Sequence, residues 1–352
     1  MYSTATEHNV ALRGALRNTA IWIVFFAISA GLGYPTLKRY DPRQQLPDAA
    51  LYARIAADGP SAVETHVRFR VLVPYLAGRL CTVAKGHTGS WDPLIFSFLL
   101  VNACFVATTA YLLRRLGIAL LCEPTLALLA ATLYLLNFAV ANAHLAMLVD
   151  SAEACLLMAV VASMYYRCWA LLPVLGVLGS LAKESFVPFS IVMALAWYFG
   201  SSEKGKRWPA VWIAGMAALE FVTLFLLQSR LSGHVVMPWN FVSGMNSPTG
   251  YAANLWHSVV DRNSWYILIW LLPLGIAGLR RLPRAWKAAS GAGIAVAIIL
   301  NAYHSTVGGG GGGLGRYVFD IAGPLLSLSA AVFLARWGGN GLREVAPSSY
   351  AQ

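Results

Sequence analysis

Charge is what this chain has least of. Only 12% of its 352 residues are Asp, Glu, Lys or Arg, against roughly 25% in a soluble domain. Hydrophobic residues make up 58% and mean hydropathy is +0.61, so the composition excludes an ordinary soluble globule and implies an integral membrane protein. The five cysteines (Cys81, Cys104, Cys122, Cys155, Cys168) form no C-x-x-C pair and sit mostly in apolar runs. They read as packing residues rather than a disulfide or zinc framework. No dinucleotide fingerprint, P-loop or H-E-x-x-H occurs, and nothing marks a nucleic-acid partner, a soluble domain or an internal repeat.

What the chain has instead is apolar runs from end to end, which implies helices rather than a barrel. Spans are expected near residues 18–36, 93–113, 124–141, 146–166, 168–182, 185–200, 208–229, 264–279, 287–304 and 317–336, about ten in all. Arg13 and Arg17 before Ile21–Ala30 suggest a retained signal anchor rather than a cleaved leader. The run from Trp169 to Gly200 is about 48 Å long as one helix, too long for one crossing. It divides at Lys183-Glu184, before Pro188, and the stretch 124–166 divides around Asn137, Asn142 and His144. The expected organisation is one transmembrane domain over residues 1–337, with a first periplasmic loop and interfacial helices over 35–90, and a short cytoplasmic tail over 338–352. Short basic loops at Arg114/Arg115, Arg167, Lys204/Lys206/Arg207 and Arg280/Arg281 mark the cytoplasmic side and place both termini there.

The opposite face collects the remaining polar groups. Its cations include Arg68, Arg70, Lys183 and Arg316, and either an anionic ligand or neighbouring acids such as Asp150, Glu153, Glu184 and Asp320 must offset them. The first loop is a charged island. Asp48 opens Asp48-Ala-Ala-Leu-Tyr52-Ala-Arg54-Ile55, a short amphipathic helix for the bilayer surface. Asp48 is either an N-cap or a general base at a cavity mouth. Asp41, before Pro42, is a turn residue. Arg68 and Arg70 can fork onto phosphate oxygens or snorkel to head groups.

Asp150 and Glu153 lie one turn apart on one helix face near the end of their span. Glu220 falls mid-span, where it needs a partner or a proton. Lys183 offers a point charge to a phosphate, or pairs with Glu184. His304, the glycines Gly308–Gly313 and Arg316 form the last loop, where bare backbone N–H groups can meet an anion or merely supply a linker. Trp239, Trp256, Trp265 and Tyr251 are interface anchors, with stacking on a sugar ring as the other reading.

The order of these motifs resembles that of bacterial GT-C glycosyltransferases: Asp48 and Tyr52 in the first loop, then Arg70-x-Leu72-x-Pro74, Asp150, Leu181-Ala182-Lys183-Glu184 and Arg316 opening a last helix. The resemblance covers most of the chain as scattered short motifs. It implies a multispanning enzyme of the bacterial inner membrane with a periplasmic active site. Such an enzyme takes a sugar from a polyprenyl-phosphate donor, with inversion, and passes it to an unspecified acceptor. It implies Asp48 as catalytic base. Arg70, Lys183 and Arg316 take the phosphate, with Arg68 and His304 behind them, while Tyr52 and Asp150 contact donor or acceptor. No bound cofactor is implied. Some relatives carry adjacent acids or a D-x-D in the first loop, and their absence here argues against a required divalent metal. The competing classes are a transporter or flippase for an anionic lipid or solute, and a noncatalytic membrane subunit.

Overall fold

The computed structural model describes residues 3–238, 250–304 and 313–337. Trp239, residues 305–312 with Gly308–Gly312 among them, the tail 338–352 and the side chain of His304 lie outside the described residues. Every regular element among the described residues is helical. In chain order the helices are α1 (Ser3–Arg39), α2 (Pro42–Gln45), α3 (Pro47–Asp58), α4 (Leu72–Ala84), α5 (Pro93–Leu121), α6 (Pro124–Leu135), α7 (Asp150–Tyr165), α8 (Leu172–Ala182), α9 (Phe186–Gly200), α10 (Arg207–Ser232), α11 (Tyr251–Val260), α12 (Arg262–Leu268), α13 (Leu271–Leu279), α14 (Arg284–His304) and α15 (Gly313–Trp337).

Helix starts follow local chemistry. Pro42, Pro47, Pro93 and Pro124 stand in first turns, where the missing N–H costs nothing. Asp92 caps α5, its Oδ1 accepting from the N–H groups of Leu94 at 2.8 Å and Ile95 at 3.2 Å. Asp41 caps α2 and is gripped by Arg43, whose hydrogen bonds hold its carboxyl below the usual range. Its place is therefore a helix cap rather than the expected turn.

Among the described residues, five helices are long and apolar enough to cross a membrane: Gly14–Arg39 within α1, α5, α10, Arg284–Ala302 within α14, and α15. This corrects the expectation of about ten spans. The segments 124–141, 168–182 and 185–200 yield only short apolar helices, and 264–279 is split between α12 and α13. Breakers are the cause. Asn137 turns its Oδ1 onto the N–H of Ala139 at 2.9 Å and its Nδ2 onto the Ile267 carbonyl at 3.0 Å, which ends α6. A π-helical turn over Val140–His144 precedes α7. Lys183 is extended (φ −165°, ψ 138°), which ends α8. The divisions expected at Asn137–His144 and at Lys183-Glu184 are both present.

The core runs through α5, α7 and α15, and α7 is buried over nearly its whole length. Helices α1 and α10 are peripheral. Val211, Phe221, Val222 and Leu226 of α10 face outward, while Ile213, Met216, Glu220, Leu224 and Gln228 form its buried stripe. An apolar exterior on long helices is what a membrane-embedded bundle presents.

Helices α13 and α15 approach through Gly275 and Gly278, and a Cβ at Gly278 would run into the main-chain carbonyl of Ser329. Gly278→Ala is expected to destabilise the bundle by about 1–3 kcal/mol, read as a lower unfolding midpoint in detergent, because backbone cannot yield as a side chain does. An unchanged midpoint would mean that α13 does not sit this close to α15.

Candidate functional site

The site begins where two short helices fail to join. Because Lys183 is extended between α8 and α9, Lys183 and Glu184 project in different directions. They do not pair with each other. Glu184 meets Arg70, and Lys183 meets α7 and α15. The first loop is tied to this join by backbone as well, through the Val71 N–H to the Leu181 carbonyl at 2.9 Å.

On the first side, Arg70 forks onto both oxygens of Glu184, with Nε at 3.0 and 2.9 Å. Its Nη1 donates to the Tyr52 hydroxyl at 2.8 Å and stands 3.8 Å from Asp48 Oδ2. Tyr52 lies on the buried face of α3, and burial pushes its phenol up to about 12 against the opposing charge of Arg70. It therefore stays a neutral hydroxyl. Asp48 is different, with 42% of its side chain exposed. It is the carboxylate of this group that solvent can reach.

On the second side, Lys183 Nζ lies among three buried carboxylates, 2.7 Å from Asp150 Oδ1, 2.6 Å from Glu153 Oε2 and 3.8 Å from Asp320 Oδ2. Each of these acids is also held from behind. Arg316 Nη2 holds the other oxygen of Asp150, the Ser185 hydroxyl donates to Glu153 Oε1, and His144 Nε2 lies 2.8 Å from Asp320 Oδ1. Tyr134 stands behind His144, its hydroxyl 3.2 Å from Nδ1. Ser151 and Asn102 lock the start of α7, through Ser151 Oγ to Asn102 Oδ1 at 2.7 Å and Asn102 Nδ2 to the Leu148 carbonyl at 3.1 Å.

Comparison of the chain with protein-family models, curated proteins and solved structures gave no match. The site therefore has to be read from its own chemistry.

Asp48, Tyr52 and Arg70 come together in one cluster and Asp150, Lys183 and Arg316 in another, the two meeting at the adjacent residues Lys183 and Glu184, though their members lie far apart in sequence. Of the two ways to offset the cations of this face, neighbouring acids are the one seen for Arg70, Lys183 and Arg316. This revises Lys183. Its side chain is 6% exposed and its ammonium lies among carboxylates, so in this arrangement it does not offer itself to a phosphate. Arg68 joins neither cluster. It donates to Ser232 Oγ at the end of α10 at 2.8 Å. Glu220, buried mid-helix, has a partner in the Ser190 hydroxyl at 2.7 Å.

Sequence reasoning named Asp320 only among the acids that could offset the cations of this face and His144 only at a helix break, and it gave Tyr134 no role. Asp320 lies four residues after Arg316 on α15, hence on the same helix face, and that spacing was available. Nothing local pointed to Tyr134, and nothing local linked His144 to Asp320. Glu184 was visible as a neighbour of Lys183 and as one of the acids that could offset the cations, but its partner is 114 residues away.

Proposed function

We propose that this protein is an inverting glycosyltransferase that moves a sugar from a polyprenyl-phosphate carrier to an acceptor hydroxyl. In this reading it works in the bacterial inner membrane, with cytoplasmic termini and a periplasmic active site. The observation that carries the proposal is Asp48: a solvent-accessible carboxylate beside an anchored arginine, at the edge of a buried ionic network. A lipid phosphate with its tail in the bilayer presents its head at such an edge. Asp48 removes the proton from the acceptor hydroxyl as it attacks the anomeric carbon. The carbon–phosphate oxygen bond breaks, and the polyprenyl phosphate leaves with the electron pair.

Arg70 is pinned by Glu184 and Tyr52, so it is pre-aimed. Arg316 spends one nitrogen on Asp150 and has 23% of its side chain exposed, which leaves donors for phosphate oxygens. Arg68 and His304 are assigned to the approach of the head group. Asp150 orients Arg316 and Lys183 rather than touching the sugar directly.

A second reading, a transporter or flippase for an anionic lipid or solute, draws on Glu220, an acid buried in a peripheral apolar helix. One experiment separates the two. Purified protein in vesicles is given radiolabelled polyprenyl-phosphate sugars together with envelope glycans and lipids. Consumption of one donor, with release of free polyprenyl phosphate, is the expected result. Intact donors that redistribute across the bilayer would replace the transferase with a flippase.

A further inference from the structure

The three buried acids around Lys183 have the anatomy of a metal site. Asp150, Glu153 and Asp320 each offer one carboxylate oxygen, and these three oxygens lie within 4.8 Å of one another. In each carboxylate the second oxygen is fixed by a different partner, namely Arg316, Ser185 and His144, so the inward oxygens are pre-aimed at one centre. Lys183 Nζ occupies that centre, but incompletely. It bonds Asp150 and Glu153 yet stands 3.8 Å from Asp320 Oδ2. That oxygen has no hydrogen-bond partner, although Asp320 is only 1% exposed. A buried carboxylate oxygen aimed into the cluster without a bond is a costly feature that needs an occupant.

Charge points the same way. Leaving the imidazole out of the count, Lys183 and Arg316 offset two of the three carboxylates and leave one negative charge over. A divalent ion in place of the ammonium, together with Arg316, balances all three. The donor set is all oxygen, which selects hard cations such as magnesium, manganese or calcium. Lys183 is able to leave. It is borne on the extended link between α8 and α9, not inside a helix, and its stem is long and flexible.

We propose that Asp150, Glu153 and Asp320 form a divalent-cation site in which the Lys183 ammonium is an exchangeable internal occupant. No first-loop D-x-D is involved, and the site does not depend on the sugar-transfer reading. The test is Mn²⁺ binding to the full-length protein in detergent, followed by electron paramagnetic resonance of the free ion. Wild type is expected to take up one Mn²⁺ per chain. Asp320→Asn and Glu153→Gln, which keep shape and remove charge, are expected to weaken binding by roughly 10–100-fold. Lys183→Met removes the competing cation and is expected to tighten it by about tenfold or more. The proposal is overturned if neither wild type nor Lys183→Met takes up Mn²⁺ at millimolar concentration. Binding untouched by Asp320→Asn and Glu153→Gln, or weakened by Lys183→Met, overturns it equally. None of these measurements uses a sugar donor, so sugar transfer succeeds or fails separately.

Discussion

Asp48→Asn is expected to lower sugar transfer by about 10²–10⁴-fold while leaving the protein folded, because an amide cannot accept the acceptor's proton. The position makes this a clean experiment. With 42% of its side chain exposed and its nearest charge 3.8 Å away, Asp48 holds little of the fold together. Asp150, Glu153, Glu184 and Asp320, by contrast, are buried, and amide variants there disturb the network as well as any chemistry. The measurement is radiolabelled product per unit time, alongside the unfolding midpoint in detergent. An unchanged midpoint with lost transfer makes Asp48 the base. Transfer at the wild-type rate removes it from the mechanism.

Arg70→Met is expected to be among the most destabilising single changes in this chain, at about 3–5 kcal/mol. The guanidinium satisfies both oxygens of Glu184, which is itself 2% exposed, and also bonds Tyr52. Removing it strands a buried carboxylate and loosens α3 over Tyr52. Arg70→Lys is expected to recover only part of the loss, because an ammonium cannot fork onto two oxygens. The double variant Arg70→Met/Glu184→Gln is expected to be more stable than Arg70→Met alone, since the stranded charge is gone. Equal unfolding midpoints for the single and double variants would show that Glu184 is not what Arg70 satisfies.

The two predictions probe different properties of one network. Stability resides in the buried pairs, where charges removed from water need exact partners to persist. The proposed reactivity resides at the edge, where one carboxylate stays accessible. A site of this kind gains rigidity from interior pairs such as Arg70–Glu184 and Arg316–Asp150, and that rigidity aims Arg70 and Arg316 without further ordering when a ligand arrives.

Composition and periodicity by themselves determined that the chain is helical and apolar and that it breaks near Asn137–His144 and Lys183-Glu184, because these follow from local hydropathy and from residues that end helices. They also brought forward Asp48, Arg70, Asp150, Lys183 and Arg316, since charges are conspicuous where they are scarce. Tertiary structure alone decided the pairing. Lys183 and Glu184 are neighbours in the chain, yet one faces Asp150 and the other Arg70, because a single extended residue separates their directions. The partners Arg316 and Asp150 are 166 residues apart, and His144 and Asp320 are 176 apart. Hydropathy reports how much each segment avoids water. It carries no record of which buried charge neutralises which, and that is settled only when α7, α15 and the α8–α9 join pack against one another.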